Sequence, residues 1–174
     1  MNKKIRKYAV CILLLMLFVC ILFSLPQYFW KNPAPKESST VPVLYVVDGD
    51  TIDVFIDGKS QRVRLIGINA PEEYPKEKKE CFADEASIAM KQLVNGKQVI
   101  LVADQTQDDR DVYRRLLRYI ILPDGTNVNL EMITHGFARE YTFNVPYQKQ
   151  SIFREAQEIA KTQAVGLWNA CKKN

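Results

Sequence analysis

Four short segments of this 174-residue chain carry side chains that together suit the hydrolysis of a phosphodiester. They are Asp48-Gly49-Asp50-Thr51, Arg64, Asn69-Ala70-Pro71-Glu72 and Tyr113-Arg114-Arg115. Carboxylate and amide oxygens are ligands for a hard divalent cation, and guanidinium groups bind phosphate through a planar fork of donors. Because Asp-Gly-Asp between two strands is usually only a turn, the prediction depends on the whole set.

The elements that must position these segments are short strands and amphipathic helices. The pattern predicts strands at Val43–Val47, Thr51–Ile56, Gln61–Ile68, Gln98–Val102 and Tyr113–Leu122. It predicts helices at Ala83–Val94, Val128–His135 and Pro146–Ala164. This combination favours a small closed barrel packed on helices, although the pattern does not fix the strand pairing. In an extended segment Tyr113 and Arg115 share one face and line one groove.

The N-terminal segment differs in composition from the rest of the chain. Residues 1–39 carry six Lys or Arg against one acidic residue, whereas residues 40–174 carry eighteen against nineteen. The basic residues precede a nearly continuous apolar run from Tyr8 to Trp30, whose length of roughly 34 Å as a helix exceeds the ~30 Å of a bilayer core. We therefore expect any affinity of the remaining domain for polyanions to come from local arginines and a bound cation.

This pattern predicts a single-pass membrane helix at residues 1–30, with the N-terminus in the cytoplasm and the rest of the chain outside it. The alternative is a cleaved signal peptide and a secreted product, but no small-x-small cleavage site is evident. Residues 31–40 are rich in Pro, Ser and charge and predict a flexible linker. Residues 41–174 have the length of one domain.

The ordered motifs of this domain resemble the staphylococcal nuclease (thermonuclease) family. The likeness runs through Val47–Thr51, Val63–Leu65, Asn69–Glu72, Glu85–Ser87, Tyr113–Leu116 and Gly166–Trp168. The resemblance implies an α+β fold, a five-stranded OB-type β-barrel packed with three helices, here preceded by the N-terminal transmembrane helix. It also implies a Ca²⁺-dependent nuclease that acts on DNA and RNA.

The site residues expected from the motifs fall into three groups. Asp50, the side-chain oxygen of Asn69 and the backbone carbonyl of Ala70 are the expected cation ligands. Glu72 is expected to orient or deprotonate the attacking water, and Arg64 and Arg115 to contact the phosphate oxygens. The resemblance adds Tyr113 and Tyr141 as nucleotide contacts.

This chain departs from the family pattern at three positions. Asn69 stands where the family has a second metal-binding Asp, which removes one charge from the ligand set. Arg114 stands where the family commonly has Gly, directly before the second catalytic arginine. Val112 stands where the best-known member has a phosphate-contacting Lys.

Two of the four cysteines, Cys81 and Cys171, lie in the predicted domain, and the other two lie in the apolar segment. If the domain faces an oxidising compartment, we expect Cys81 and Cys171 to form a disulfide; unpaired thiols are the alternative. The leading hypothesis is a membrane-anchored nuclease with a monomeric catalytic domain. The alternatives are a nucleic-acid-binding OB-type module that has lost metal affinity through Asn69, and, more weakly, a barrel that binds protein partners.

Overall fold

The computed structural model describes residues 39–171. The strands in this range are β1 (Val41–Val46), β2 (Thr51–Ile56), β3 (Lys59–Leu65), β4 (Ile68–Asn69), β5 (Gln98–Val102), β6 (Leu116–Ile121) and β7 (Arg139–Glu140). The helices are α1 (Ala83–Val94), α2 (Val128–Thr134), α3 (Gln150–Thr162) and the short α4 (Leu167–Ala170), with one 3₁₀ turn at Lys76–Lys78.

Five of the strands close into a barrel in the order β1, β2, β3, β6, β5. Asp57 and Gly58 turn β2 into β3, and both have positive φ angles (50° and 77°), as a two-residue hairpin requires. β6 pairs in parallel with β3, with Arg64 opposite Leu117. These observations confirm the predicted α+β fold with a five-stranded barrel and helices.

Alternate strand residues fill the barrel interior. Ile52, Val54, Val63 and Leu65 are all at most 1% exposed, as expected for the inward face of a two-residue period. Helix α1 adds Ala86, Met90 and Val94, spaced four residues apart and fully buried. This core fixes the ends of β1 and β3, where the polar motifs are located.

Three element boundaries differ from the sequence-based predictions by more than two residues. The third strand ends at Leu65 because Gly67 turns the chain with a φ of 78°, and Ile68–Asn69 then pairs separately with Arg139–Glu140. The sixth strand begins at Leu116 rather than at Tyr113. The long C-terminal helix begins at Gln150, so Pro146 lies before it and not in its first turn.

A disulfide joins Cys81, just before α1, to Cys171, just after α4, across a sequence separation of 90. The disulfide expected from the sequence is therefore present. The bond connects the segment that follows Glu72 to the C-terminal end of the described chain.

Within residues 39–171 no helix has both the length and the apolar character needed to cross a bilayer. The predicted membrane helix at residues 1–30 lies outside the described residues, as does most of the predicted linker at residues 31–40.

Candidate active site

Asp50 lies in the tight turn between β1 and β2 and is only 4% exposed. The turn is closed by an Asp48 carboxylate oxygen, which accepts a bond from the Asp50 amide at 2.9 Å. One Asp50 oxygen accepts from the Thr51 hydroxyl (3.0 Å), and the other accepts from the Ala70 amide (2.8 Å). Asp50 therefore joins the β1–β2 turn to the segment after β4.

Arg64, near the end of β3, is held by four oxygen atoms. Its Nη1 donates to the carbonyls of Leu65 and Ile68, each at 2.8 Å. Its Nη2 lies 3.1 Å from Asn69 Oδ1 and 3.0 Å from Asp50 Oδ2. Both Nη atoms are thus engaged, whereas the Nε–H of Arg64 has no partner among residues 39–171. The guanidinium is thus rigidly placed beside two of the predicted cation ligands.

Arg115 is positioned by a turn and not by a strand, which corrects the sequence-based interpretation. Arg114 has a φ of 69°, so the chain does not continue the extended face expected for Tyr113 and Arg115. Asp111 instead accepts from the Arg115 amide (2.9 Å) and from its Nε (2.6 Å). The guanidinium also lies 5.4 Å from the centre of the Tyr113 ring. Both Nη atoms of Arg115 lack a hydrogen-bond partner among the described residues and can donate to a ligand.

Glu72 lies close to both arginines on the exposed loop between β4 and the 3₁₀ turn. Its backbone is fixed by a reciprocal pair of bonds, in which the Glu72 amide donates to the Glu80 side chain and the Glu80 amide donates to the Glu72 carbonyl. Partial burial raises the pKa of Glu72, and the charge of Asp48 adds to this, while Arg64 and Arg115 oppose it. The carboxyl group therefore responds to the charges of the whole cluster.

One cavity of about 780 Å³ collects nearly all of the sequence-predicted residues. Those lining it are Asp50, Arg64, Asn69, Glu72, Tyr113, Arg115 and Tyr141. Ala70 does not line it: this residue is 3% exposed and contributes its amide to Asp50. We call this space the active-site cavity.

Asp48 and Phe143 also line the active-site cavity, although the sequence motifs predict no role for either. Burial, followed by the neighbouring Asp50 charge, raises the pKa of Asp48 to about 6. Phe143 is 62% exposed and its ring centre lies 6.4 Å from that of Tyr141. The Asp-x-Asp spacing and the aromatic residue two positions after Tyr141 were the available sequence signals.

The donor set fits a hard divalent cation. Asp48, Asp50 and Asn69 supply carboxylate and amide oxygens beside one cavity. Burial and, after it, the Asp50 charge raise the pKa of Asp48, and a bound cation would favour its charged form. Residues 39–171 contain no group of three or more His, Cys, Asp or Glu side chains arranged to hold a metal. The candidate set therefore depends on Asn69 and on solvent to complete the coordination.

Residues 62–170 match the family model described as "Staphylococcal nuclease homologue". This match covers more than half of the chain and includes β5, β6 and most of β3, whereas β1 and β2 precede it. The chain belongs to the staphylococcal nuclease homologue family. It is accordingly a hydrolase of the nuclease class.

Several curated relatives of this staphylococcal nuclease homologue cover most of its length. An uncharacterized endonuclease of Escherichia coli O157:H7 is 38% identical over 127 residues, which is 73% of this chain and 75% of that protein. An uncharacterized endonuclease of Haemophilus influenzae is 34% identical over 134 residues, which is 76% of this chain and 68% of that protein. A thermonuclease of Staphylococcus hyicus is 30% identical over 165 residues, which is 89% of this chain and 95% of that protein.

Proposed function

We propose that this staphylococcal nuclease homologue is a Ca²⁺-dependent enzyme that hydrolyses phosphodiester bonds of DNA, RNA or both. The observation that supports it most directly is the convergence of Arg64, Glu72 and Arg115 on one cavity that also holds Asp48 and Asp50. A phosphodiester is an anion that repels nucleophiles, so its hydrolysis requires positive charge around phosphorus and a positioned water. The active-site cavity contains groups for both tasks.

Each side chain has a distinct proposed role. Glu72 orients or deprotonates the attacking water, a task for which a raised pKa is favourable because a stronger base accepts the proton more readily. Arg115 offers to the phosphate two Nη groups that lack a partner among residues 39–171, and Arg64 contributes positive charge from a fixed position. Asp50, Asn69 and the backbone carbonyl of Ala70, with Asp48 beside them, are the groups that would hold Ca²⁺, which supplies charge stabilisation at the phosphate when bound.

The aromatic rim of the cavity favours an unpaired nucleic-acid strand. Tyr113, Tyr141 and Phe143 are 77%, 44% and 62% exposed and surround the same cavity as the arginines. Exposed rings of this kind stack on nucleotide bases, which have accessible faces when the strand is unpaired. We therefore propose that Tyr113 and Tyr141 contact the nucleotide, with Phe143 beside them.

The test uses the full-length chain, defined single-stranded DNA and RNA oligonucleotides, and a Ca²⁺ titration. We expect cleavage that rises with Ca²⁺, stops with chelator and is strongly reduced in Arg115→Lys, because a lysine cannot reproduce the guanidinium fork. An exposed lysine on α1 that lines no described cavity, Lys91, provides the matched control Lys91→Gln. Cleavage that is insensitive to chelator would contradict the proposed Ca²⁺ dependence.

The alternative is a nucleic-acid-binding module with weak or no catalysis, and one contact favours it. Arg64 Nη2 already lies within hydrogen-bonding distance of both Asp50 and Asn69, so the cation must compete with a guanidinium for these oxygens. Oligonucleotide binding without cleavage at saturating Ca²⁺ would support this alternative. Asn69→Asp adds a charge to the ligand set, and calorimetric titration should show tighter Ca²⁺ binding if residue 69 is a ligand.

We also propose that residues 1–30 anchor the chain in a membrane, that residues 31–40 form a linker and that residues 41–174 act outside the cytoplasm as a monomeric domain. The basic residues before the apolar run support this orientation, because positive flanks remain on the cytoplasmic side. Fractionation with protease treatment of intact cells is the test. We expect membrane-bound, protease-accessible chain; a shorter product in the medium would indicate secretion after cleavage.

A further inference from the structure

A second depression of about 640 Å³ lies directly beside the active-site cavity. The two spaces share Asp48, Thr51, Tyr113 and Arg115, so their walls are continuous. The second depression extends away from Glu72 and Tyr141, which line only the first. We call this second space the side groove.

Two arginines line the side groove without lining the active-site cavity, and they differ in their partners. Arg62 forms two bonds to the Asp53 carboxylate, at 2.9 and 3.0 Å, so most of its charge is offset. Arg114 makes no side-chain hydrogen bond or ion pair with residues 39–171. Arg114 is therefore an available cation in the groove next to the proposed reaction centre.

The backbone at Arg114 does not need this side chain. Its φ of 69° lies in the left-handed region, which is unfavourable for residues with a Cβ and free for glycine. The turn is held by Asp111, whose carbonyl accepts from the Arg114 amide and whose side chain accepts from the amides of Tyr113 and Arg115. Glycine would satisfy this turn better, so the arginine side chain has no evident role in the fold.

The side chains of Arg114 and Arg115 line neighbouring spaces because the turn directs these two consecutive side chains apart. Arg115 lines both spaces and is oriented by Asp111, whereas Arg114 lines the side groove alone. A nucleic-acid strand carries one phosphate per nucleotide, so a strand seated in the cavity brings a further phosphate to the adjoining space.

We propose that Arg114 binds the phosphate next to the one that is cleaved, which makes the side groove a second phosphate subsite for an extended strand. This inference rests on the proposed nuclease function and deepens it. With this second subsite, the enzyme prefers substrates that contain more than one phosphodiester. The subsite also gives a binding role to a residue that replaces the glycine of the family pattern.

The test compares a thymidine dinucleotide, with one internal phosphodiester, and the matching tetranucleotide, with three. Binding is measured by competition against a labelled oligonucleotide, using the full-length Glu72→Gln chain in mild detergent with CaCl₂, where cleavage is suppressed. We expect the longer ligand to bind more tightly and its advantage to fall about threefold to tenfold in Arg114→Gly. The slope of log affinity against log salt should fall by roughly 0.7.

Two variants serve as controls. Arg114→Lys keeps the charge and should retain much of the advantage, and Lys91→Gln removes an exposed cation elsewhere and should leave it unchanged. Arg114→Gly should melt no lower than its parent, since glycine suits the turn. A clear loss of melting temperature would give Arg114 a structural role and count against the inference.

An Arg114→Gly chain that keeps both the length advantage and the salt slope would overturn the inference, even if the enzyme cleaves nucleic acid. The same oligonucleotides are incubated in parallel with the chain that retains Glu72. Absence of cleavage there would refute the proposed nuclease function, whereas the binding ratio would still report on Arg114. The two failures are therefore separable.

Discussion

Arg64 and Arg115 present the same guanidinium group to one cavity, but the fold restrains them differently. Both Nη atoms of Arg64 are bonded to main-chain or side-chain oxygens, whereas those of Arg115 lack protein partners in the described region. A ligand phosphate can therefore bind Arg115 without displacing a protein contact. Arg64 acts mainly as a fixed charge, unless Asp50 and Asn69 exchange it for another partner.

Glu72 is the side chain whose removal should separate catalysis from binding. We expect Glu72→Gln to lower kcat by roughly 10² to 10⁴, the usual contribution of a positioned general base, with a much smaller change in KM. The amide keeps the size of the side chain, so the fold and the arginine contacts remain. Steady-state cleavage of one oligonucleotide at saturating Ca²⁺ provides the measurement.

The neighbouring Glu73 supplies the matched control for this prediction. Glu73 does not line the active-site cavity, although it carries the same group on the same loop. Glu73→Gln should keep near-normal kcat. Equal losses in the two variants would mean that the loop charge as a whole, and not a base at position 72, sets the rate.

Residue types identified most of the candidate site because hydrolysis demands particular groups at particular spacings. The motifs predict a common site for Asp50, Arg64, Glu72 and Arg115 without any knowledge of strand pairing, and all four line one cavity. The burial that raises the pKa of Asp48 was not readable from the chain, because it depends on packing between separate segments. The hydrogen bonds from Arg64 to carbonyl oxygens cannot be predicted from the sequence for the same reason.

At the scale of elements, Gly49 controls how closely the β1–β2 turn approaches its neighbours. A Cβ at this position would lie 2.5 Å from the Ala70 Cβ and 3.0 Å from the Ala86 Cβ. These contacts come from the segment after β4 and from helix α1. The turn that carries Asp50 can therefore reach the Ala70 amide only because residue 49 has no side chain.

We expect Gly49→Ala to reduce the free energy of unfolding by about 1 to 3 kcal/mol, since the added methyl group overpacks a buried contact. The forced shift should also weaken Ca²⁺ binding, because Asp50 moves relative to Asn69. Denaturant unfolding and calorimetric Ca²⁺ titration measure the two effects. Gly58→Ala is a useful comparison: its Cβ would meet no atom within 4 Å, so only backbone strain is added there.

Asp104 joins two loops that border the active-site cavity. Its carboxylate accepts from the Thr106 amide and hydroxyl, from the Tyr119 hydroxyl and from the Gln148 amide. Burial alone would raise the pKa of Asp104, but these hydrogen bonds outweigh it and the pKa is lowered. The charged carboxylate thus holds the 104–107 loop against the segment that leads into α3.

We expect Asp104→Asn to cost about 1 to 3 kcal/mol of stability at pH 7, because an amide cannot accept all of these bonds. A lowered folded-state pKa contributes stability that is complete above the unfolded value near 3.9 and is lost as pH falls through the folded value. The free energies of unfolding of the parent and of Asp104→Asn should therefore converge as the pH is lowered. Unfolding experiments between pH 7 and pH 2 test this, with the exposed Asp108→Asn as control; curves that stay parallel would contradict it.

The sequence predicted regular elements well where periodicity was uninterrupted and poorly where side chains override it. Helix α1 and strand β5 have the predicted bounds, since their apolar spacing and flanking Gly96 leave few alternatives. Residues 113–115 were predicted as strand from their β-forming neighbours, but Asp111 captures their amides in a turn. Local hydrogen bonds from a side chain to nearby amides compete with the strand and leave no periodic signature in the sequence.

At the scale of the whole molecule, the C-terminal region supports the barrel from outside. The disulfide holds Cys171 to Cys81. The centre of the Trp168 ring lies 5.5 Å from Arg139 Cζ and 5.1 Å from Lys161 Nζ. Arg139 is paired with Asn69 in the β4–β7 ladder. The chain end is thereby connected to the strand that carries a proposed ligand.

Removing this bridge should lower stability substantially. In the loop-entropy model, a crosslink across a separation of 90 residues contributes roughly 4 to 5 kcal/mol. We expect the double variant Cys81→Ser, Cys171→Ser to unfold at clearly lower denaturant concentration than the parent. Reductant should lower the denaturant midpoint of the parent chain to that of the double variant and leave the midpoint of the double variant unchanged. A parent chain whose midpoint does not change with reductant would contradict the prediction.

The parallel pairing of β3 with β6 also sets the moment at which the enzyme becomes competent during its synthesis. Asp50, Arg64 and Glu72 all emerge from the ribosome before β6, and Arg115 precedes it directly. Until Leu116 and Leu117 align with Val63 and Arg64, the barrel stays open and its two guanidinium groups have no common cavity. A nascent fragment that ends before β6 therefore lacks an assembled centre.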